Sequence, residues 1–77
     1  MTADELRPLL RSSATRPITV HADGKAYPIS HPEFAFLTGA GGTLIILHRD
    51  DNGFELLDVP LIARVEVHGN GVASSGQ

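Results

Sequence analysis

The amino-acid sequence predicts a small, mainly β (α+β) domain, with a short N-terminal helix followed by five antiparallel strands in a strongly bent sheet or small barrel. Three observations predict this class. Helical apolar spacing occurs near the N-terminus, a two-residue alternation begins near Pro17, and turn-forming dipeptides separate the alternating segments. A chain of 77 residues is short, and such chains bury only about 60% of their unfolded surface. We therefore expect a single domain over residues 1–68 and a disordered tail over 69–77.

Composition removes several classes of function. The chain has no cysteine, which excludes disulfides, thiolate zinc sites, iron–sulfur clusters and a cysteine nucleophile. A formal charge of −3 opposes nucleic-acid binding, which usually requires a basic surface. No apolar run approaches the ~18 residues of a membrane-spanning helix, and Asp4 and Glu5 stand where a signal peptide would be basic. The sequence therefore predicts a cytoplasmic protein that does not enter a membrane.

The first element is a helix that starts near Ala3 and ends by Ser13. Thr2 and Glu5 have the spacing of a capping box, in which each side chain accepts a backbone N–H at the other's position. Pro8 removes one helical hydrogen bond, so we expect a kinked or frayed helix. One face of this helix is apolar and needs a sheet to cover it; it carries Leu6, Leu9 and Leu10.

The next two strands form a hairpin around Asp23-Gly24, which is the strongest local turn signal in the chain. A two-residue turn places Ile18 opposite Ile29, so the large apolar residues of both strands share one face. The same register places Thr19 opposite Pro28. Because proline has no N–H, the second strand is predicted to lie at a sheet edge or to bend.

The second strand is expected to bend near His31-Pro32 and to continue as a single long strand through residues 34–37. The glycine loop that follows is not succeeded by a helix, so we interpret it as a hairpin loop rather than a phosphate-binding loop. The aromatic residues Tyr27, Phe34 and Phe36 are assigned to the core. The remaining predicted elements are a third strand at 44–47, an acidic turn at 50–53, a fourth strand at 54–59, a tight turn at 61–63 and a last strand at 64–67.

Both faces of this second hairpin are apolar. One face carries Ile45, Leu47, Phe54 and Leu56, and the other carries Leu44, Ile46, Leu57 and Val59. A two-turn helix covers only part of this surface, so the second face predicts contact with another polypeptide. The candidate interface residues are Ile45, Leu47, Phe54, Leu56 and, on the last strand, Val65.

The order of these elements over residues 2–67 resembles that of the Sm-like and SH3-type small barrels. Gly24 has the position of the glycine that follows the first strand in the Sm pattern. The resemblance implies the fold. It does not imply uridine binding, because bacterial Sm-like proteins carry a Lys-His pair before the last strand and this chain has Val59-Pro60 there.

The chain is also similar to a group of short, uncharacterised bacterial proteins. The segments that carry this similarity are Arg16-Pro17, Asp23-Gly24, His31-Pro32-Glu33-Phe34 and Ile62-Ala63-Arg64-Val65-Glu66-Val67. The similarity supports a single domain and implies no functional residue.

Histidines are the candidate metal ligands or catalytic bases: His21, His31, His48 and His68. Their spacing contains no His-x-His or His-Glu-x-x-His pair, which are the arrangements that bring ligands together on one element. His31-x-Glu33 matches the opening of a zinc deaminase signature, but that signature also requires two cysteines. We therefore predict no catalytic residue, no metal site and no cofactor.

The leading hypothesis is a non-catalytic interaction or assembly module that self-associates, or docks onto a larger protein, through the apolar face and the edge strands. A less favoured alternative is an Sm-like RNA-binding protein that forms an oligomeric ring. In such a ring, His48 and Arg49 would be repeated around an axis and would form a local basic rim. A third hypothesis is a small metal-dependent enzyme.

Overall fold

A computed structural model describes residues 1–69 as one helix and six strands in two antiparallel sheets. The elements are α1 (Ala3–Ser12), β1 (Ile18–Ala22), β2 (Lys25–Ile29), β3 (Ala35–Leu37), β4 (Thr43–Leu47), β5 (Phe54–Asp58) and β6 (Ile62–Val67). Sheet I has the strand order β2-β1-β6, and sheet II has the order β3-β4-β5. Of the predicted tail, residues 70–77 lie outside the described residues. Within residues 1–69, no helix is long and apolar enough to cross a membrane.

Helix α1 begins at the predicted capping box. The Thr2 hydroxyl accepts the backbone N–H of Glu5 at 3.3 Å, and the Glu5 carboxylate accepts the backbone N–H of Thr2 at 2.9 Å. The helix continues through the exposed Pro8. Its leucine face is turned inward, since Leu6 and Leu10 are buried. The predicted start and orientation of the helix are confirmed.

The first hairpin has the predicted register. Asp23 and Gly24 have φ values of 55° and 73°, as a two-residue type I′ turn requires. Ile18 lies opposite Ile29, and Thr19 lies opposite Pro28. Strand β6 pairs with the other side of β1. Strand β2 is therefore an edge strand, as the missing N–H of its proline predicts.

The prediction of five strands is wrong, because the long bent second strand is divided in two. Strand β2 ends at Ile29, a 3₁₀ turn occupies Pro32–Phe34, and β3 begins at Ala35. The backbone N–H of Phe34 donates to the His31 carbonyl at 3.1 Å, which closes the turn. Proline favours this position, because its fixed φ suits the first residue of a helical turn. Within residues 1–69 the two sheets do not close into a barrel.

The fourth strand is also shorter than predicted. Strand β5 ends at Asp58, and Val59–Leu61 forms a second 3₁₀ turn that contains Pro60. The last strand then starts at Ile62 rather than at residue 64. A hydrogen bond to the loop before β4 holds this turn in place: the Val59 N–H donates to the Gly42 carbonyl at 2.9 Å. This turn carries the chain from sheet II to sheet I.

One hydrophobic core fills the space between the helix and the inner faces of both sheets. It consists of Leu6, Leu10, Ile18, Val20, Ala22, Ile29, Ala35, Leu44, Ile46, Val59 and Ile62. Gly41 lets the helix approach sheet II. It has a φ of 78°, and a Cβ at this position would lie 2.7 Å from the Cβ of Ala3. Only glycine fits both the left-handed backbone and the close contact.

Candidate interaction surface

The outer face of sheet II carries five large apolar side chains. The strand register places Ile45 between Phe36 and Leu56, and it places Leu47 opposite Phe54. Because side chains alternate along a strand, these five residues share the face that points away from the core. Phe36 is 50% exposed, Phe54 is 58% exposed and Leu56 is 61% exposed. These five residues form the outer apolar face.

Strand β4 explains why both sides of sheet II are apolar. Its segment Leu44-Ile45-Ile46-Leu47 has no polar residue at either parity. Leu44 and Ile46 are buried in the core, so Ile45 and Leu47 must point outward. Ile45 is half-buried because it lies in the central strand, between the side chains of two neighbours. The outer side of the sheet is therefore apolar as a direct result of this sequence.

The structure brings four of the five predicted interface residues together. They are Ile45, Leu47, Phe54 and Leu56. Val65 does not join them, because β6 pairs with β1 and belongs to sheet I. It lies opposite the fully buried Val20 and packs, partly buried, against the core. Its side chain therefore faces inward.

Phe36 and Leu61 were missed by sequence reasoning. The assignment of Phe36 to the core is wrong, whereas Tyr27 and Phe34 are partly buried. Phe36 points outward because side chains alternate along a strand and its neighbour Ala35 is buried. Leu61 is 66% exposed and shares a shallow depression with Leu56, beside the outer apolar face.

An open groove of about 550 Å³ lies at the end of the β4–β5 hairpin. It is lined by Tyr27, Pro28, Ser30, Phe34, Ile46, Leu47, His48, Arg49, Asp50, Asp51 and Glu55. The His48 Nδ1 atom is 2.9 Å from an Asp51 carboxylate oxygen, and its Nε2 atom is 2.8 Å from a Glu55 carboxylate oxygen. We call this arrangement the histidine bridge.

The carboxylates of the histidine bridge favour the charged form of the ring. Hydrogen bonds from His48 to Glu55 and to Asp51 raise the pKa of His48 above its ordinary value. The pKa of Asp51 is lowered, first by the backbone N–H of Gly53 and then by the His48 ring. Both shifts favour the ion pair between the two residues.

The charges at this turn are mixed rather than basic. His48 and Arg49, the residues assigned to the RNA-binding alternative, are exposed there. The carboxylates of Asp50, Asp51 and Glu55 also line this groove. Those of Asp51 and Glu55 contact the two ring nitrogens of His48. These carboxylates repel phosphate groups, so the turn of one chain is a poor anion site.

The other histidines lie on polar surface. His21 contacts Glu66 at 3.2 Å, and His68 contacts the Thr19 hydroxyl at 2.8 Å. The His31 ring lies 6.1 Å from the Phe34 ring. Within residues 1–69, no group of three or more histidine and carboxylate side chains is arranged to hold a metal ion.

Comparison with known proteins adds no relative to this description. No protein-family model, curated protein or solved structure matches the chain.

Proposed function

We propose that this protein is a non-catalytic interaction module that self-associates through the outer apolar face of sheet II. The exposure of Phe54 and Leu56 carries this proposal. Both residues lie on a sheet whose inner face already packs on the core, and both remain exposed within the described residues 1–69. The largest apolar patch on the surface of a folded monomer is often its functional contact site, which supports a role for this face.

A second copy of the chain suits this face. None of its five side chains is charged, so two copies related by a two-fold axis bring no like charges together at the centre. Two sheets can pack face to face at about 10 Å, with side chains interdigitating between them. The protruding Phe36 and Leu56 flank the half-buried Ile45, which gives the face the relief that such packing requires.

The size of the face sets the expected affinity. The two five-residue strands β4 and β5 and the three-residue strand β3 span at most about 14 by 17 Å at ordinary strand spacing, which is small beside the about 800 Å² per partner of a standard interface. We therefore expect a concentration-dependent dimer rather than a permanent one. The outer edge of strand β5 and the exposed Leu61 adjoin the face and extend the contact.

The test is the dependence of mass on concentration, measured by sedimentation velocity and native mass spectrometry. The Leu56→Asp variant places a charge on the proposed contact directly beside Ile45, and Leu47→Asp places one near its end. Ala26→Asp is the matched control, because Ala26 is exposed on β2, the edge strand of sheet I. Circular dichroism checks that each variant is folded.

We expect the wild type and Ala26→Asp to dimerise as concentration rises, and we expect both leucine variants to remain folded monomers. A wild type that stays monomeric at high concentration overturns self-association. Binding of another protein to that monomer would then indicate docking onto a partner in place of self-association. Equal dimerisation of Leu56→Asp and the wild type would exclude this face.

A further inference from the structure

The histidine bridge closes the hairpin that presents two residues of the outer apolar face. His48 directly follows Leu47, and Glu55 directly follows Phe54. Leu47 and Phe54 form the last cross-strand pair before the turn. The backbone N–H of His48 also donates to the Gly53 carbonyl at 3.0 Å. The bridge therefore lies at the position that fixes the spacing of this apolar pair.

The bridge can be complete in only one protonation state. A neutral imidazole has one N–H donor and one bare nitrogen, whereas the imidazolium donates from both nitrogens. Both ring nitrogens of His48 face carboxylate oxygens, at 2.8 and 2.9 Å. In the neutral ring, one bare nitrogen would face a carboxylate oxygen, and two acceptors repel each other at this distance. Loss of the proton must open one of the two contacts.

We infer that protonation of His48 controls self-association, because the complete histidine bridge holds Leu47 and Phe54 in the arrangement that a second copy contacts. This inference rests on the proposed function and names the regulation of the same surface. The bridged hairpin favours the dimer. The opened hairpin leaves the end of the face without a fixed geometry, which weakens the dimer.

The groups around His48 support a response near neutral pH. Asp51 and Asp50 approach from the turn and Glu55 from β5, with Arg49 as the nearby fixed positive charge. From β2, across the groove, the titratable lining side chain is Tyr27. The carboxylates raise the pKa of His48.

The direction of the pH response follows from the raised pKa of His48. Because the pKa is raised in the bridged state, the bridge contributes fully at pH values below the ordinary histidine pKa of about 6.5, and its contribution is lost as the pH rises through the raised value. Association should therefore weaken over a range that begins near the ordinary pKa of about 6.5 and extends above it.

The experiment measures the dimer dissociation constant by sedimentation velocity across that range. Three proteins are compared: the wild type, His48→Gln and the control His31→Gln. His31 is exposed and makes no ion pair among residues 1–69, so the control removes one titratable histidine without touching the bridge. The general change in net charge near the pI of about 5.7 affects all three proteins.

We expect a several-fold loss of affinity with rising pH in the wild type and in His31→Gln, and weak, nearly pH-independent association in His48→Gln. In the wild type, the protection factor of the His48 amide against hydrogen exchange, taken relative to the intrinsic rate at each pH, should fall over the same pH range in which its ring titrates by NMR. A wild-type dimer that ignores pH, or an unchanged pH response in His48→Gln, overturns this inference alone. A chain that is monomeric at every pH overturns the proposed function and this inference together.

Discussion

The two sheets of this protein turn one face each toward the same core, yet their outer faces differ. The outer face of sheet I carries Thr19, His21, Ala26, Pro28, Arg64 and Glu66. The outer face of sheet II carries Phe36, Ile45, Leu47, Phe54 and Leu56. The first is polar or small at every position, whereas the second is large and apolar except at one end, where Thr43 lies opposite Asp58.

This difference separates the residues that fold the chain from those that remain available for contact. Along β1, burial alternates in step with side-chain polarity, because Ile18 and Val20 are buried whereas Thr19 and His21 are not. Along β4 burial alternates in the same way, but polarity does not. The alternation of burial is what the fold requires. The uniform hydrophobicity of residues 44–47 in β4 exceeds that requirement, and it supports the proposal that sheet II is the interaction surface.

The largest expected effect contrasts the two faces of sheet II. Leu44 is fully buried, whereas Leu56 on the neighbouring strand is 61% exposed. Leu44→Ala should lower the free energy of unfolding by about 2–5 kcal/mol, because it leaves a cavity in the core. Leu56→Ala should change it by about 0.5 kcal/mol or less in the monomer. Urea unfolding at low protein concentration measures both values, and a large loss in Leu56→Ala would place that residue in the core instead.

A smaller effect is expected where the helix meets sheet II. Gly41→Ala forces an ordinary residue to a φ of 78° and places a Cβ 2.7 Å from the Cβ of Ala3. We expect a loss of about 1–3 kcal/mol, since strained backbone costs this much and the helix must shift as well. Thermal unfolding and urea unfolding both report it.

Gly39→Ala is the matched control in the same loop. Gly39 has no left-handed φ, and a Cβ there would meet no atom within 4 Å. This variant should retain wild-type stability. Equal stability of the two alanine variants would show that the helix does not depend on the close contact at Gly41.

Turn, capping and alternation patterns in the sequence predicted much of the helix, of both hairpins and of the faces that they bury. The two-residue turn at Asp23-Gly24 fixed the register of the first hairpin, and the spacing of Thr2 and Glu5 fixed the start of the helix. Alternation assigned the two faces of the second hairpin correctly over β4 and β5. Each of these features depends on residues that are close together in the chain.

Features that depend on distant residues were not predictable in the same way. Nothing in residues 62–67 indicates that β6 pairs with β1 rather than β5, so the sequence did not separate Val65 from the other four candidate interface residues. The histidine bridge requires the detailed shape of the turn, because Asp51 and Glu55 reach His48 from three and seven residues away. Sequence spacing alone gives no reason to group these three side chains.

The smallest expected effect belongs to the polar outer face of sheet I. His21, then His68 and Arg64, lower the pKa of Glu66. A carboxylate whose pKa is lowered by folding stabilises the fold above its ordinary value of about 4.5, and this contribution is lost as the pH falls through the lowered value. Glu66→Gln should therefore be slightly less stable than the wild type at neutral pH and equal to it in acid. Urea unfolding at both pH values measures this, while sedimentation should show unchanged association. If Glu66→Gln instead altered the dimer, the polar face would also take part in contact, and the functional distinction between the two sheets would fail.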